Sequence, residues 1–304
     1  MENGPAIRRA AEMVKKALDR GIRVVVVVSA IKGVTDQLLA AAEAISFNTP
    51  RDVIDYIVGL GEEQSVRLMA SALRYLGVDA LEVLPDAPCW PIVTDETYGD
   101  AEPIIEECES GTELGLRPII ERGKTPVVCG FIGRSLNGNV TTMGRGGGDT
   151  TAVILANCLR ADELVLVKDV GGVYSADPHN VKEAKLIPEL RAWEANLLAS
   201  TGAKVLHDKV FKYKSEGLRI RIVSRDGNLN DCGTVIGGTI PEIEIKVHEN
   251  PVFILNIVGE AAASPEILKK SYWMRSAREW GGASPSREQI NRRSSLSMAQ
   301  LLRY

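Results

Sequence analysis

Residues 141–167 read Thr141-Thr142-Met143-Gly144-Arg145-Gly146-Gly147-Gly148-Asp149-Thr150-Thr151 and then AVILANCLRADELVLV. Glycine occupies four of the five positions 144–148, which permits positive φ and close approach of the backbone to a ligand. Thr150 to Leu159 has the length and apolar content of a buried helix, and Glu163 to Val167 is a strand. The loop therefore feeds a helix N-terminus, where unpaired N–H groups and the macrodipole attract anions. Arg145 adds a cation whose forked geometry suits a carboxylate or phosphate. Asp149 has two readings, an N-cap or a member of the site. Neither GxxxxGK[ST] nor an opening GxGxxG occurs here, which disfavours a P-loop NTPase and a dinucleotide-binding dehydrogenase.

Working outward, the same alternation continues in both directions. Pro126 to Phe131 (PVVCGF) and Ile22 to Val28 are apolar runs without polar alternation, as in strands covered on both faces. Helices are expected over Ala6–Arg20 with Gly21 at the C-terminus, over Asp36–Ile45, in two stretches around Gly61-Glu62-Glu63 up to Leu76, and over Ala101–Glu121. Val78–Leu84, Arg219–Val223 and Gly233–Ile236 complete the strands, and Trp193–Ala199 and Ala203–Glu216 the helices. Strands alternating with helices give an α/β fold with a mainly parallel sheet. After Gly238 the texture changes. Glu242 to Ile257 could open a small β-containing module, whereas Ser271 to Tyr304 is rich in arginine and serine with little apolar periodicity. That segment reads as a disordered basic tail or as a frameshifted or truncated module.

The 304 residues suffice for one large domain or one domain with a small companion. A net charge of −4 gives no reason to expect nucleic acid as a partner, and no run of 18 apolar residues suggests a membrane span. Five scattered cysteines without a CxxC read as free thiols in a reducing compartment, so a cytoplasmic location is expected.

Four more segments hold candidate site residues. Ser29-Ala30-Ile31-Lys32-Gly33-Val34-Thr35-Asp36 follows a strand, where open α/β sheets bind ligands. Ser29, Lys32 and Thr35 are candidates there, with Thr35 or Asp36 as a plain helix cap the alternative. Lys168-Asp169-Val170-Gly171-Gly172-Val173-Tyr174-Ser175-Ala176-Asp177-Pro178 follows another strand and could hold a nucleotide by its backbone, with Lys168 near phosphate. Lys204, in Gly202-Ala203-Lys204-Val205-Leu206-His207, opens a helix, an unfavourable place for a cation unless an anion sits nearby. His207 reads as structural, having no evident carboxylate partner. Gly61-Glu62-Glu63-Gln64-Ser65 is uninformative alone.

In this order the segments resemble the aspartokinases of the amino-acid kinase superfamily, over about Ala6 to Ile236. VSAIKGVTD (28–36) is similar to VSAxxGVTD and GEEQS (61–65) to GExxS. FIGRSLNGNVTTMGRGGGDTTA (131–152) is similar to FIGxxxxGxxTTLGRGGSDxTA, KDVGGVYSADPHNV (168–181) to TDVxGVYTADPRxV, and TGAKVLH (201–207) to YGAKVLH. The resemblance implies a three-layer αβα sandwich, with a kinase domain over 1–238 and an incomplete ACT-like segment with an irregular tail over 239–304. It implies ATP-dependent phosphorylation of the L-aspartate side chain to 4-phospho-L-aspartate, at the head of lysine, threonine and methionine biosynthesis. ATP would carry Mg2+, with no metal site belonging to the protein, and the chain would form a homo-oligomer. Ser29, Thr35, Glu62 and Arg145 would bind aspartate, with Arg145 and Asp149 acting on the transferring group. Lys168, Asp169, Gly172, Tyr174, Asp177, Pro178 and Lys204 would surround ATP.

This sequence departs from that pattern in several places. The family opens on a strand and a KFGG-type loop whose lysine contacts the transferring phosphate, whereas MENGPAIRRAAEMV begins just past it. A missing first strand is thus expected, and the alternative function is a non-catalytic subunit of kinase fold. Gly148 stands for the usual Ser, His179 for Arg and Asp208 for Pro. FILNIVGE (253–260) resembles only the start of an ACT module, so feedback regulation through an ACT pair is not expected.

Overall fold

The computed structural model describes residues 3–46, 48–176, 178, 181–200 and 206–238. The expected ACT-like segment over 239–304 therefore lies outside the described residues, as do Asp177 and Lys204. Helix α1 (Gly4–Leu18) starts where the Asn3 side chain accepts from the Ala6 N–H at 3.0 Å, and it buries Ile7, Ala11 and Val14 at helical spacing. Strand β1 (Val26–Val28) leads through the αL residue Gly33 into α2 (Val34–Ile45). Next comes α3 (Arg51–Tyr75), one helix of 25 residues where two stretches were expected. Its glycines do not break it, because neighbours pack where their side chains would be. A Cβ at Gly59 would lie 3.3 Å from Ile132, and one at Gly61 would lie 3.1 Å from Val34.

Strands β2 (Ala80–Val83) and β3 (Val93–Thr94) precede α4 (Ile105–Gly111), a π-helical turn over Thr112–Leu116, and α5 (Arg117–Glu121). A Cβ at Gly115 in that turn would lie 2.7 Å from the Cys89 carbonyl oxygen, so glycine alone fits. β4 (Thr125–Cys129) is buried at every position, as its apolar run predicts. β5 (Ile132–Ser135) and β6 (Val140–Thr142) form a hairpin that the sequence reading left as loop. Helix α6 (Gly147–Cys158) starts three residues before the expected Thr150. The remaining elements are β7 (Leu164–Lys168), β8 (Val173–Tyr174), β9 (Leu186–Ile187), β10 (Glu189–Arg191), α7 (Ala192–Ser200), α8 (Lys209–Tyr213), β11 (Ile220–Ser224) and β12 (Thr234–Gly237).

The result is an α/β sandwich of three layers. Parallel sheet β1-β4-β2 and mixed sheet β10-β12-β11-β7 form the middle. Helices α1 and α2 pack on α3, which covers β1, β2 and β4. Helix α6 spans both sheets, touching β1 and β7. It gives Ile154 and Leu155 to one core and Ala152, Val153 and Ala156 to the other. That is why its sequence is apolar on all sides. Strands β1 and β7 thus lie over one helix with their carboxyl ends on the same side. No helix among the described residues is long and apolar enough to cross a membrane.

Candidate active site

Ser29 just past β1, Thr35 in the first turn of α2, Glu62 in the middle of α3, and Asp149 and Lys168 all line one cavity of about 310 Å³. Phe131, Gly144, Gly146, Gly147 and Gly148 complete its wall. Five segments spread over 140 residues thus meet at the carboxyl ends of parallel strands, where α/β sheets hold ligands.

The glycine loop owes its shape to its neighbours. Gly144 and Gly146 have φ of 67° and 74°, values that L side chains rarely adopt. A Cβ at Gly148 would lie 2.6 Å from the Ser29 hydroxyl, so the two residues share one space. Helix α6 begins at this loop with no side-chain cap; the Gly147 N–H donates to the Gly144 carbonyl at 3.1 Å, and the Gly148 and Asp149 N–H groups are left at the cavity wall. The two threonines do not compete for them. Thr150 and Thr151 donate their hydroxyls back to the Gly146 and Gly147 carbonyls at 3.0 and 2.9 Å, and the Phe131 N–H donates to Thr151 Oγ1 at 3.1 Å.

Lys168 Nζ donates to both carboxylate oxygens of Asp149 at 2.7 and 2.6 Å. This pair joins the end of β7 to the first turn of α6. Asp149 is therefore no N-cap; Gly146 holds that position.

Glu62 is 4% exposed, and its Oε2 has no hydrogen-bond partner among the described residues. Burial pushes its pKa up to about 8, opposed mainly by the Ala30 backbone N–H. A buried carboxyl with one oxygen unbonded on a cavity wall is a receptor for a cationic group.

Arg145 is exposed, lies off the cavity wall and has no ion-pair partner among the described residues. It stands between two αL glycines, which turn it outward from the loop. Asp169, 3.0 Å from the Arg225 guanidinium, and Gly172, Tyr174 and Pro178 lie on the chain after β7 and not on the wall. His207 Nδ1 lies 2.8 Å from the carboxylate of the adjacent Asp208 and accepts the Lys209 N–H at 3.3 Å, and its Cβ fills the place a side chain at Gly146 would need.

Asp55 escaped the sequence reading. It is 2% exposed and holds the backbone that feeds the glycine loop. Its only local signal is a position seven residues before Glu62, on the same face of one helix.

Residues 1–224 match the amino acid kinase family. The aspartokinase of Corynebacterium glutamicum is 34% identical over 247 residues, covering 81% of this chain and 57% of the relative. Aspartokinase 2 of Bacillus subtilis is 34% identical over 232 residues, covering 76% of this chain and 54% of the relative. Escherichia coli aspartokinase III, solved with aspartate and ADP in the R-state, superposes with a TM-score of 0.68 at 27% identity. That match covers 78% of this chain and 62% of the solved one. Aspartate kinase from Synechocystis gives a TM-score of 0.65 at 31% identity, over 79% and 38% of the two chains. The chain thus spans about half the length of the curated relatives it matches. Family match, superposition and cavity agree, and this chain belongs to the amino acid kinase family, within which its resemblance is to the aspartokinases.

Proposed function

We propose that this chain transfers the γ-phosphoryl group of ATP to the side-chain carboxylate of L-aspartate, giving 4-phospho-L-aspartate and ADP. One observation carries the reading: a buried carboxyl with one oxygen left unbonded among the described residues, Glu62 Oε2, shares a cavity with a helix N-terminus and the Lys168–Asp149 pair. An amino acid brings an ammonium for Glu62. Its acceptor carboxylate and the incoming phosphates bring negative charge to the α6 amides and Lys168. The E. coli neighbour, solved with aspartate and ADP, supports the same pair of ligands.

The reaction asks little covalent chemistry of the protein. The acceptor carboxylate is already ionised at neutral pH, so no general base is needed. A new bond forms between a carboxylate oxygen and the γ-phosphorus, and the bond to the ADP oxygen breaks. Ser29 and Thr35 orient the acceptor, and Arg145 swings from solvent onto the substrate's other carboxylate. Lys168 and the first amides of α6 meet charge building on the phosphoryl oxygens. Mg2+ fits as an ion carried by the nucleotide: Asp149 is a hard oxygen donor at the phosphate end of the cavity, where phosphates and water would complete its shell. When bound, it would neutralise phosphate charge during transfer, and Asp149 is the residue of this chain placed to hold it. Five free cysteines agree with a cytoplasmic location.

Calorimetry with aspartate and with ADP, followed by coupled ADP release and hydroxamate trapping of the acyl phosphate, tests the proposal. Binding of both ligands and aspartate-dependent ADP release are expected. No aspartate binding removes it. Binding of both without ADP release leaves the non-catalytic subunit.

A further inference from the structure

Helix α3 carries two buried carboxylates seven residues apart, Asp55 and Glu62. Seven residues are two turns, so both face inward along one line about 10 Å long. Glu62 ends at the cavity. Asp55 reaches none of the cavity wall and binds backbone instead. Its Oδ2 accepts the Thr142 N–H at 2.7 Å and the Gly99 N–H at 2.9 Å, and its Oδ1 accepts the Thr142 hydroxyl at 3.0 Å.

Each bond fastens a segment that reaches the glycine loop. Thr142 ends β6, two residues before Gly144. The segment at Gly99 is joined to it twice more. The Ala101 N–H donates to the Thr142 carbonyl at 2.8 Å, and a Cβ at Gly144 would lie 2.4 Å from Asp100. Lys209 closes the arrangement by donating to Asp100 at 2.8 Å and to the Met143 carbonyl at 2.9 Å. Among the described residues, Asp55 ties the root of the loop to the Glu62 helix, with two bonds to Thr142 and a third to the Gly99 segment beside it.

We propose that Asp55 is a positioning residue that fixes the glycine loop against helix α3, and so sets the span between Glu62 and the Arg145–Asp149 end of the substrate site. The statement about substrate rests on the aspartate kinase reading; the statement about the loop does not. An amino acid bound at both ends requires that span to be fixed, because misplacement of about 1 Å can cost a hundredfold.

The test uses the 304-residue chain with Asp55→Ala, Asp55→Asn and Thr142→Val. Hydrogen exchange reads the 140–149 segment, and calorimetry reads the Kd for aspartate and for ADP. Asp55→Ala should speed exchange in 140–149 and weaken aspartate by about tenfold or more while ADP changes far less. Asn can keep both N–H bonds through its oxygen and turn its amide toward the Thr142 hydroxyl. Asp55→Asn should therefore restore exchange and affinity. Thr142→Val, which loses one bond of three, should fall between. Unchanged exchange in Asp55→Ala overturns the proposal, and so does Asp55→Asn behaving as badly as Asp55→Ala. Should Asp55→Ala fail to fold, the other two variants decide: a wild-type-like Asn variant with a weakened Val variant supports it, and the reverse order overturns it. A wild-type chain that binds no aspartate yet shows these exchange effects keeps the loop clamp and removes the kinase reading.

Discussion

Aspartate binding should release a proton, and Glu62 is the group that loses it. In the empty cavity Glu62 is protonated around neutrality, because burial raises its pKa from 4.5 to about 8. Burial raises the neighbouring Cys129 thiol far out of this range. An ammonium is held best by the carboxylate form. At pH 7 a group titrating near 8 is about nine-tenths protonated, so binding pays about 1.4 kcal/mol to ionise it. The Kd for aspartate should therefore fall close to tenfold per pH unit from pH 6 to 8 and then level off. Glu62→Gln removes the charge and with it the slope. Loss of one partner of a buried charge pair costs about 2–5 kcal/mol, less the 1.4 kcal/mol of ionisation at pH 7, so affinity should drop by about threefold to several hundredfold. The sign for stability follows. A carboxyl whose folded pKa lies above its unfolded value stabilises below the unfolded pKa, and that contribution is lost as pH climbs from about 4.5 through 8. Glu62→Gln should thus raise the melting temperature at pH 9 relative to wild type. Calorimetry in buffers of different ionisation enthalpy counts the protons. A flat affinity between pH 6 and 8 with no proton release would refute this assignment of Glu62.

Arg145→Ala should weaken aspartate by about 2–5 kcal/mol while leaving ADP nearly unchanged, and calorimetry that finds the reverse would assign the loop to the nucleotide. Lys168→Ala removes a charged donor from the phosphate end, so ADP binding should weaken by about 1.5–3 kcal/mol, a Kd roughly 10- to 150-fold higher, with wild-type affinity counting against that role. Gly148→Ala should impair turnover because its Cβ meets the Ser29 hydroxyl at 2.6 Å. Adding Ser29→Ala should recover part of that loss in a double-mutant cycle, and strict additivity would show that the two do not share the space.

The layered α/β fold was legible because each element is a local pattern. The apolar runs at Val24–Val28 and Pro126–Cys129 and the helical spacing of Ile7, Ala11 and Val14 act within one or two turns. What failed was decided by distant neighbours. Two helical stretches were expected around Gly61, yet α3 is continuous there because Val34 closes over that glycine. The β5–β6 hairpin hides in a motif of mixed polarity. The cavity's members Ser29, Thr35, Glu62, Asp149 and Lys168 were named by motif, but no periodicity says they meet. Asp55 was silent because its partners, Gly99 and Thr142, lie 44 and 87 residues along the chain. The chemistry of Arg145 suits a carboxylate or a phosphate, and the resemblance implies the substrate; neither bears on the exposed position it takes between Gly144 and Gly146.

Strand β4 carries a cost in time. It is the middle strand of the first sheet, pairing Val127 with Val26 and Thr125 with Ala80, contacts that span 127 − 26 = 101 and 125 − 80 = 45 residues. Helix α3 can form while it is being made, but the Val24–Val28 run waits for Cys129 before β1 has its partner. Parallel pairings of such separation are slow to form. During synthesis at about 5–20 residues per second, that run stands open for several seconds or more. Five consecutive valines are then an adhesive edge, and the yield of folded protein depends on how fast, and at what concentration, residues 30–129 follow them.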